Sequence, residues 1–324
     1  MASAHITTIH VGLPKTATST VQRFLLDRHS EILYLGRNPG FAGGYRLHEH
    51  NQVAKRLRRG HESEAGLDQL RLNVATLQAA SPEKHLVWSD EGCSSGSRSH
   101  RGKFADHLKR VFGACRIIMT LRHPVDWLES MYWQSVGREQ IWAPLPPPGR
   151  TVEMPDPEQW YRLQLAASDR GELVYLDYAY TIDCFRRVFG DGHVHVFLYE
   201  ALKDDFESFV ENLCGLLEVD AEQGLELTRG RHLACRITER TEQYLRHLAT
   251  HPEQASRFYA LDREQRKSVA HDATTFDTPV PENQRAKAEF PKSVVSEIER
   301  LTREGNRMLK SKLGADLRRF NYPL

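Results

Sequence analysis

The stretch "ITTIHVGLPKTATST", residues 6–20, joins an apolar, β-branched run to a tight turn and a cluster of hydroxyl side chains. Its first half is typical of a short buried strand that a Gly-Leu-Pro turn ends. Val21, Phe24 and Leu25 follow at helical spacing, so a helix is predicted to begin near Thr16–Thr18. A strand that turns directly into a helix aims free backbone N–H groups and the positive end of the helix dipole at one point. This stretch therefore predicts an anion site at the edge of a sheet.

The rest of the chain repeats the alternation of strand and helix. Short apolar runs at 84–90, 115–121 and 193–199 are predicted strands, and amphipathic segments separate them. Strands alternating with helices of this length favour right-handed crossovers and a mainly parallel sheet. We therefore predict an α/β fold.

Composition and charge narrow the function classes. The chain has 324 residues, 40% hydrophobic and 27% charged, which suits one large domain with insertions. Its net charge of +1 provides no global field for nucleic acid or a membrane surface. The five cysteines are far apart with no CxxC pair, so neither a zinc site nor a disulfide framework is expected. No apolar run of membrane-spanning length and no signal peptide is recognisable, so a cytoplasmic protein is predicted.

The turn after the first strand carries an unusual set of donors. Lys15 adds a mobile positive charge, and hydroxyls follow at Thr16, Thr18, Ser19 and Thr20. The loop is not a Walker A sequence, because no glycine stands directly before the lysine. A phosphate or sulfate group fits this set. The alternative is a capped helix start, for which one hydroxyl is enough.

A second constellation is "LRHPVDWLESMYWQS", residues 121–135. Arg122 stands at the end of a predicted strand, and Ser130 lies about two turns into a helix that Pro124 opens. An arginine at the carboxyl end of such a strand faces the crevice where α/β proteins bind ligands, and its fork suits a phosphate. A pairing with a surface carboxylate is the alternative for Arg122 alone.

These motifs resemble a known family. "GLPKTATST" is similar to the 5′-phosphosulfate loop of sulfotransferases that use 3′-phosphoadenosine 5′-phosphosulfate (PAPS). "LRHPVDWLESMY" is similar to their 3′-phosphate motif, and "VHVFLYEAL" to a strand that ends in Tyr-Glu-x-Leu. The resemblance covers roughly residues 6–217. The chain departs from the family at Ala17, where glycine is frequent, and at His123, where aspartate is common.

The resemblance implies a P-loop NTPase-like three-layer sandwich, with a central parallel sheet and helical insertions. It implies that PAPS is the co-substrate, that no metal takes part, and that Lys15 stabilises charge on the leaving phosphate. Arg122 and Ser130 would hold the 3′-phosphate, and a late basic loop with Arg229 and Arg231 would lie nearby. The alternative for Arg229 and Arg231 is a solvated basic turn. The residues that would bind the 5′-phosphosulfate through side chains or amides are Gly12, Lys15, Thr16, Ala17, Thr18, Ser19 and Thr20.

Transfer to an acceptor hydroxyl or amine also needs a base. Glu91, directly after the second predicted strand, matches in position the catalytic glutamate of carbohydrate sulfotransferases. Asp90 is the second candidate, and the two side chains are expected to face opposite sides of an extended segment. A histidine is the base in other branches of the family, which leaves His48, His50 and His100 as alternatives.

The complete prediction is a single sulfotransferase domain over residues 1–324. Acceptor-side insertions are expected at about 36–80 and 138–160, and a helical region at about 236–324. The acceptor is expected to be a carbohydrate or small metabolite. Trp88, Trp133, Trp142 and Trp160 are expected either to stack on its sugar rings or to belong to the core. A P-loop small-molecule kinase and a non-catalytic nucleotide-binding protein are the alternatives. The sequence indicates neither the acceptor's identity nor an oligomeric state.

Overall fold

The computed structural model describes residues 6–36, 63–94, 96–137, 155–168, 171–231, 239–271, 286–313 and 316–324. His48, His50, Trp142 and most of both predicted insertions lie outside the described residues. Among the helices described, none combines the length and apolar character needed to cross a membrane.

In the described part of the chain, the strands form one five-stranded sheet in which every pairing is parallel. The strand order is β2-β3-β1-β4-β5, so β1 lies in the centre. The sheet confirms the predicted α/β class. The strands are β1 (Thr7–His10), β2 (Ile32–Tyr34), β3 (His85–Ser89), β4 (Cys115–Leu121) and β5 (Val194–Leu198).

Helices connect the strands and form the last third of the described chain. Capping residues set several of their starts: Ser97 Oγ accepts from the backbone N–H of His100, and Pro124 stands in the first turn of the next helix. In chain order they are α1 (Thr18–Thr20, continued by a π-helical segment, Val21–Leu26), α2 (Glu64–Ala79), α3 (Arg98–Phe112), α4 (Pro124–Val136), α5 (Pro157–Ala166), α6 (Tyr178–Phe189), α7 (Tyr199–Asp204), α8 (Phe206–Leu217), α9 (Ala221–Thr228), α10 (Glu239–Thr250), α11 (Pro252–Ala260), α12 (Arg263–His271) and α13 (Lys292–Leu313).

The sheet buries apolar side chains on both faces. Val87 packs in a core cluster with residues of the π-helical segment Val21–Leu26 and of α8. The next residue, Trp88, points to the other face, where it stacks on Phe112 of α3 at 5.5 Å between ring centroids. Residues of β1 are buried throughout, as expected for a central parallel strand covered on both sides.

The chain divides into two compact units. The first consists of Met1–Pro124, Ser168–Leu233 and Glu299–Leu324, and it contains the sheet. The second consists of Val125–Ala167 and Ala234–Ile298, and its described residues are largely helical. Within the second unit, Tyr132 packs edge-on against Trp160 and Phe290. The single-domain organisation stays a prediction.

The sequence pattern located four of the strands and missed β2. β2 contains only the residues "ILY", and three residues are too few to show a period. β1 is also shorter than the apolar run that predicted it, because it ends at His10 and residues 11–17 form the loop.

Candidate active site

The strand order brings three loops to one edge of the sheet. β1 pairs with β3 on one side and with β4 on the other, all in parallel. The segments that follow these strands therefore leave the sheet side by side at its carboxyl edge. They carry Lys15, Glu91 and Arg122, so the topology joins residues that are far apart in the sequence.

The loop after β1 adopts a special backbone. Lys15 and Ala17 have φ angles of 68° and 63°, in the left-handed region that non-glycine residues rarely occupy. The Ala17 carbonyl accepts from the backbone N–H groups of Thr20 and Val21, which starts the first helical turn. Holding non-glycine residues in this region costs of order 1 kcal/mol or more each, and such strain concentrates at functional sites. Ala17 therefore adopts a conformation for which glycine is better suited, and this conformation costs free energy.

Gly12 allows a close approach inside this loop. A Cβ atom at position 12 would lie 2.1 Å from Cγ2 of Thr18, a distance that no real contact tolerates. Only glycine fits without a shift of the Thr18 side chain. The turn is thereby closely packed against the beginning of α1.

The loop hydroxyls have different environments. Thr16 is buried, and its hydroxyl donates to the Leu13 carbonyl at 2.7 Å, which closes the turn. Thr18 is also buried, and its hydroxyl donates to a carboxylate oxygen of Glu91. Thr20 is buried and Ser19 half-buried. The structure thus gives Thr16 a loop-closing bond and Thr18 a link to the predicted base.

Asp90 and Glu91 point in different directions, although the segment is not extended as expected. Glu91 opens a 3₁₀ turn, Glu91–Ser94, and is half-buried with its carboxylate on Thr18. Asp90 is fully buried and accepts from the backbone N–H of Gly92 at 2.8 Å. Asp90 therefore stabilises the turn, while Glu91 faces Thr18 at the end of the loop after β1.

A buried polar network that the sequence analysis missed lies at the ends of β1 and β3. His10 Nδ1 and Ser89 Oγ are 2.8 Å apart, and Gln22 donates to the same hydroxyl at 2.8 Å. Burial lowers the pKa of His10 to about 4, so its ring is neutral near pH 7. This network joins the ends of β1 and β3 to Gln22 in the π-helical segment that follows α1.

Arg122 is buried beside the loop after β1, with only 5% of its surface exposed. Its Nη1 donates to the Lys15 carbonyl at 3.0 Å, and its guanidinium lies 4.7 Å from the ring centroid of Tyr199. Its backbone carbonyl accepts from the hydroxyl of Tyr178 at 2.8 Å. Burial raises the pKa of Tyr178, which keeps this hydroxyl a donor. Sequence reasoning assigned no role to either tyrosine, although Tyr199 belongs to the Tyr-Glu-x-Leu motif.

The other predicted site residues lie on α3, on α4 and after α9. Ser130 is buried on α4, in the second unit. Arg229 and Arg231 are exposed after α9, and the Arg231 guanidinium lies 5.8 Å from the ring centroid of Phe24. His100, on α3, stacks on Phe104. The roles of these residues stay predictions.

The structure decides between the two interpretations of the described tryptophans. Trp88, Trp133 and Trp160 are 1%, 6% and 2% exposed. Rings buried to this extent belong to the core and offer no free face to a sugar, so the stacking interpretation is wrong for these three.

Several solved structures are similar to this chain at low sequence identity. A sulfotransferase from Alicyclobacillus acidocaldarius shares 17% identity over 83% of this chain and 97% of its own, with a TM-score of 0.45. The sulfotransferase domain from the curacin biosynthetic pathway shares 15% identity over 95% of this chain and 98% of its own, with a TM-score of 0.42. Mouse sulfotransferase SULT7A1, complexed with PAP, shares 14% over 70% of this chain and 64% of its own, with a TM-score of 0.40. No curated protein sequence matches the chain.

The family comparison is more direct. The model of the sulfotransferase domain matches residues 102–277, which is more than half of the chain. This match includes the β4 segment with Arg122 and the Tyr-Glu-x-Leu motif after β5. This match over more than half of the chain shows that the chain belongs to the sulfotransferase domain family.

Proposed function

We propose that the protein transfers a sulfuryl group from PAPS to a hydroxyl or amine of an acceptor, a carbohydrate or small metabolite, and releases adenosine 3′,5′-bisphosphate. One observation carries the proposal: a single sheet edge joins Lys15, Glu91 and the buried Arg122. In this proposal, Lys15 stabilises the leaving phosphate, Glu91 is the base for the acceptor, and Arg122 binds a second phosphate.

The loop after β1, from Gly12 to Thr20, is here called the phosphate loop, and its hydrogen-bond donors fit a phosphosulfate. Gly12 lets the turn pack closely against the Thr18 side chain, and α1 begins at Thr18. Backbone N–H groups at a helix start favour anions, and Lys15 adds a full charge. PAPS would bring the activated sulfuryl group. The loop from Gly12 to Thr20 would bind its 5′ end through amides and hydroxyls.

The chemistry assigned to the side chains balances as an in-line displacement. Lys15 stabilises the negative charge that develops on the phosphate oxygen as its bond to sulfur breaks. Glu91 accepts the proton of the acceptor as the new oxygen–sulfur or nitrogen–sulfur bond forms. The Thr18 contact supports this role, since it places the Glu91 carboxylate against the loop that would hold the phosphosulfate.

Arg122 is proposed as the main ligand of the 3′-phosphate. Its burial and its bond to the Lys15 carbonyl hold it beside the phosphate loop, where a charge-assisted bond is strong. Ser130, Arg229 and Arg231 are the other proposed ligands, and support for them comes from the motifs alone.

Nucleotide selectivity tests the assignment of Arg122. Adenosine 3′,5′-bisphosphate is expected to raise the melting temperature far more than AMP, because AMP lacks the group that this arginine would bind. A ligand at 100 times its dissociation constant stabilises a protein by about 2.7 kcal/mol. Thermal unfolding with each nucleotide over a concentration series measures the difference. Equal shifts at equal concentrations would show that no side chain senses the 3′-phosphate.

Metal independence separates sulfuryl transfer from the kinase alternative. Turnover is expected to persist in excess EDTA, because Lys15 and the loop amides take the role that magnesium has in kinases. Among the residues that the structure describes, no group of three His, Cys, Asp or Glu side chains is arranged to hold a metal ion. The assay uses radiolabelled PAPS with an acceptor found by screening glycans, phenols and peptides. Activity that EDTA abolishes and magnesium restores would favour the phosphotransferase.

A cytoplasmic location is part of the proposal. Its support is the chemistry of the described cysteines, since Cys93, Cys115, Cys184 and Cys214 are all buried free thiols. Reduced thiols are the usual state in the cytosol.

A further inference from the structure

The peptide unit between Arg122 and His123 is held from both sides. Its carbonyl, on Arg122, accepts from the Tyr178 hydroxyl at 2.8 Å. Its N–H, on His123, donates to Oε1 of Glu200 at 2.8 Å. Tyr199, the residue before Glu200, places its ring against the Arg122 guanidinium. One dipeptide after β5 therefore contacts both the side chain of Arg122 and the backbone N–H of the residue that follows it.

Glu200 is in turn held by a residue far along the chain. The hydroxyl of Tyr322 donates to its second oxygen, Oε2, at 2.9 Å. Tyr322 also meets the His123 ring edge to face, with centroids 5.4 Å apart. His123 Nε2 lies 3.1 Å from the carbonyl oxygen of Asn321. The residue that departs from the family pattern, His123, is thus packed against residues 321–322.

The segment around Tyr322 is itself anchored. Tyr322 is 3% exposed, and its backbone N–H donates to the Leu317 carbonyl at 3.0 Å. Asn306, on α13, donates to the Pro323 carbonyl at 3.0 Å. All these residues belong to the first compact unit, with Arg122 and the sheet. Tyr322 is therefore built into the fold at this point.

We propose that Tyr322, acting through Glu200, is a positioning residue that orients Arg122 and thereby determines selectivity for nucleotides that carry a 3′-phosphate. This inference rests on the proposed role of Arg122. Tyr322 touches neither nucleotide nor acceptor in this scheme. It lowers the free-energy cost of holding the Arg122 side chain in its binding orientation.

The physical reason is preorganisation. An arginine side chain loses rotamer freedom when it binds a phosphate, and a fixed backbone with a stacked guanidinium reduces that loss. Removing the Tyr322 hydroxyl leaves Glu200 with one donor fewer and loosens its grip on the His123 N–H. Burial and the nearby Glu200 carboxylate both raise the pKa of Tyr322, so it donates over the whole working pH range.

The test is the affinity of the full chain for two nucleotides in wild type and Tyr322→Phe. Adenosine 3′,5′-bisphosphate binding is expected to weaken about tenfold, the order of effect of losing one hydrogen bond to a charged group. AMP binding is expected to change less than about twofold, because AMP makes no demand on Arg122. Titration calorimetry gives both dissociation constants, and their ratio does not depend on the fraction of folded protein.

Two further variants sharpen the test. Glu200→Gln is expected to reduce the same ratio, because one amide cannot accept from both His123 N–H and Tyr322 with carboxylate strength. Tyr180→Phe is the matched control, since it removes a hydroxyl that donates to the Arg98 carbonyl at 2.9 Å in the same unit. The control is expected to keep the wild-type ratio.

Different outcomes overturn different statements. If wild type discriminates between the nucleotides and Tyr322→Phe keeps the same ratio, the positioning role is wrong and Arg122 keeps its assignment. An equal loss for both nucleotides has the same meaning, because it reports a general disturbance of the site. If wild type does not discriminate at all, the assignment of Arg122 fails and the positioning role fails with it.

Discussion

Replacing Lys15 with alanine is expected to lower kcat by about 10²–10³-fold, the scale of losing one preorganised donor to a developing negative charge. The charge on the leaving phosphate grows as the bond to sulfur breaks, so the lysine contributes more in the transition state than in the bound complex. Affinity for adenosine 3′,5′-bisphosphate should fall much less. The bond from Arg122 ends on the backbone carbonyl of residue 15, which alanine retains.

Steady-state kinetics at saturating PAPS and acceptor, with product-nucleotide titration beside them, measure both quantities. Lys103→Ala, which removes an exposed lysine on α3, is the control for a change of charge alone. If the loss of nucleotide affinity is as large as the loss of kcat, Lys15 contributes uniform binding and is not the group that acts on the transition state. Unchanged kcat would remove it from the chemistry.

Replacing Glu91 with glutamine is expected to reduce kcat by about 10²–10⁴-fold, as for the loss of a general base. Glutamine keeps nearly the same shape and an oxygen that accepts from the Thr18 hydroxyl, so the contact with the phosphate loop is preserved. The amide has no capacity to take the acceptor's proton. Affinity for adenosine 3′,5′-bisphosphate should therefore stay nearly unchanged while turnover is lost.

The chain offers close controls for this variant. Asp90→Asn alters the neighbouring carboxylate, and the asparagine oxygen still accepts from Gly92 N–H. His100→Ala removes the described histidine alternative. Both variants are expected to retain turnover. A dead Asp90→Asn or His100→Ala beside an active Glu91→Gln would assign the base elsewhere, and three active variants would exclude all of these groups from proton transfer.

Local patterns allowed much of the fold to be predicted. Helix and strand periods are properties of the backbone, so the spacing of apolar residues located four strands and the helix that begins near Thr18. The candidate site residues of the loop after β1 could also be singled out from a local pattern, because Gly12, Lys15 and the hydroxyls lie within a few residues of one another. The pattern failed at β2, which is too short to display a period.

The connections between distant segments were decided only by the tertiary structure. The Thr18–Glu91 bond spans 73 residues, and the Tyr322–Glu200 bond spans 122. Both depend on the strand order, which puts β1 between β3 and β4 and sets the end of β5 beside β4. A single sequence shows which groups are chemically capable. Which of them meet depends on how the strands pair and on how later segments pack against them, and neither is a local property of the chain.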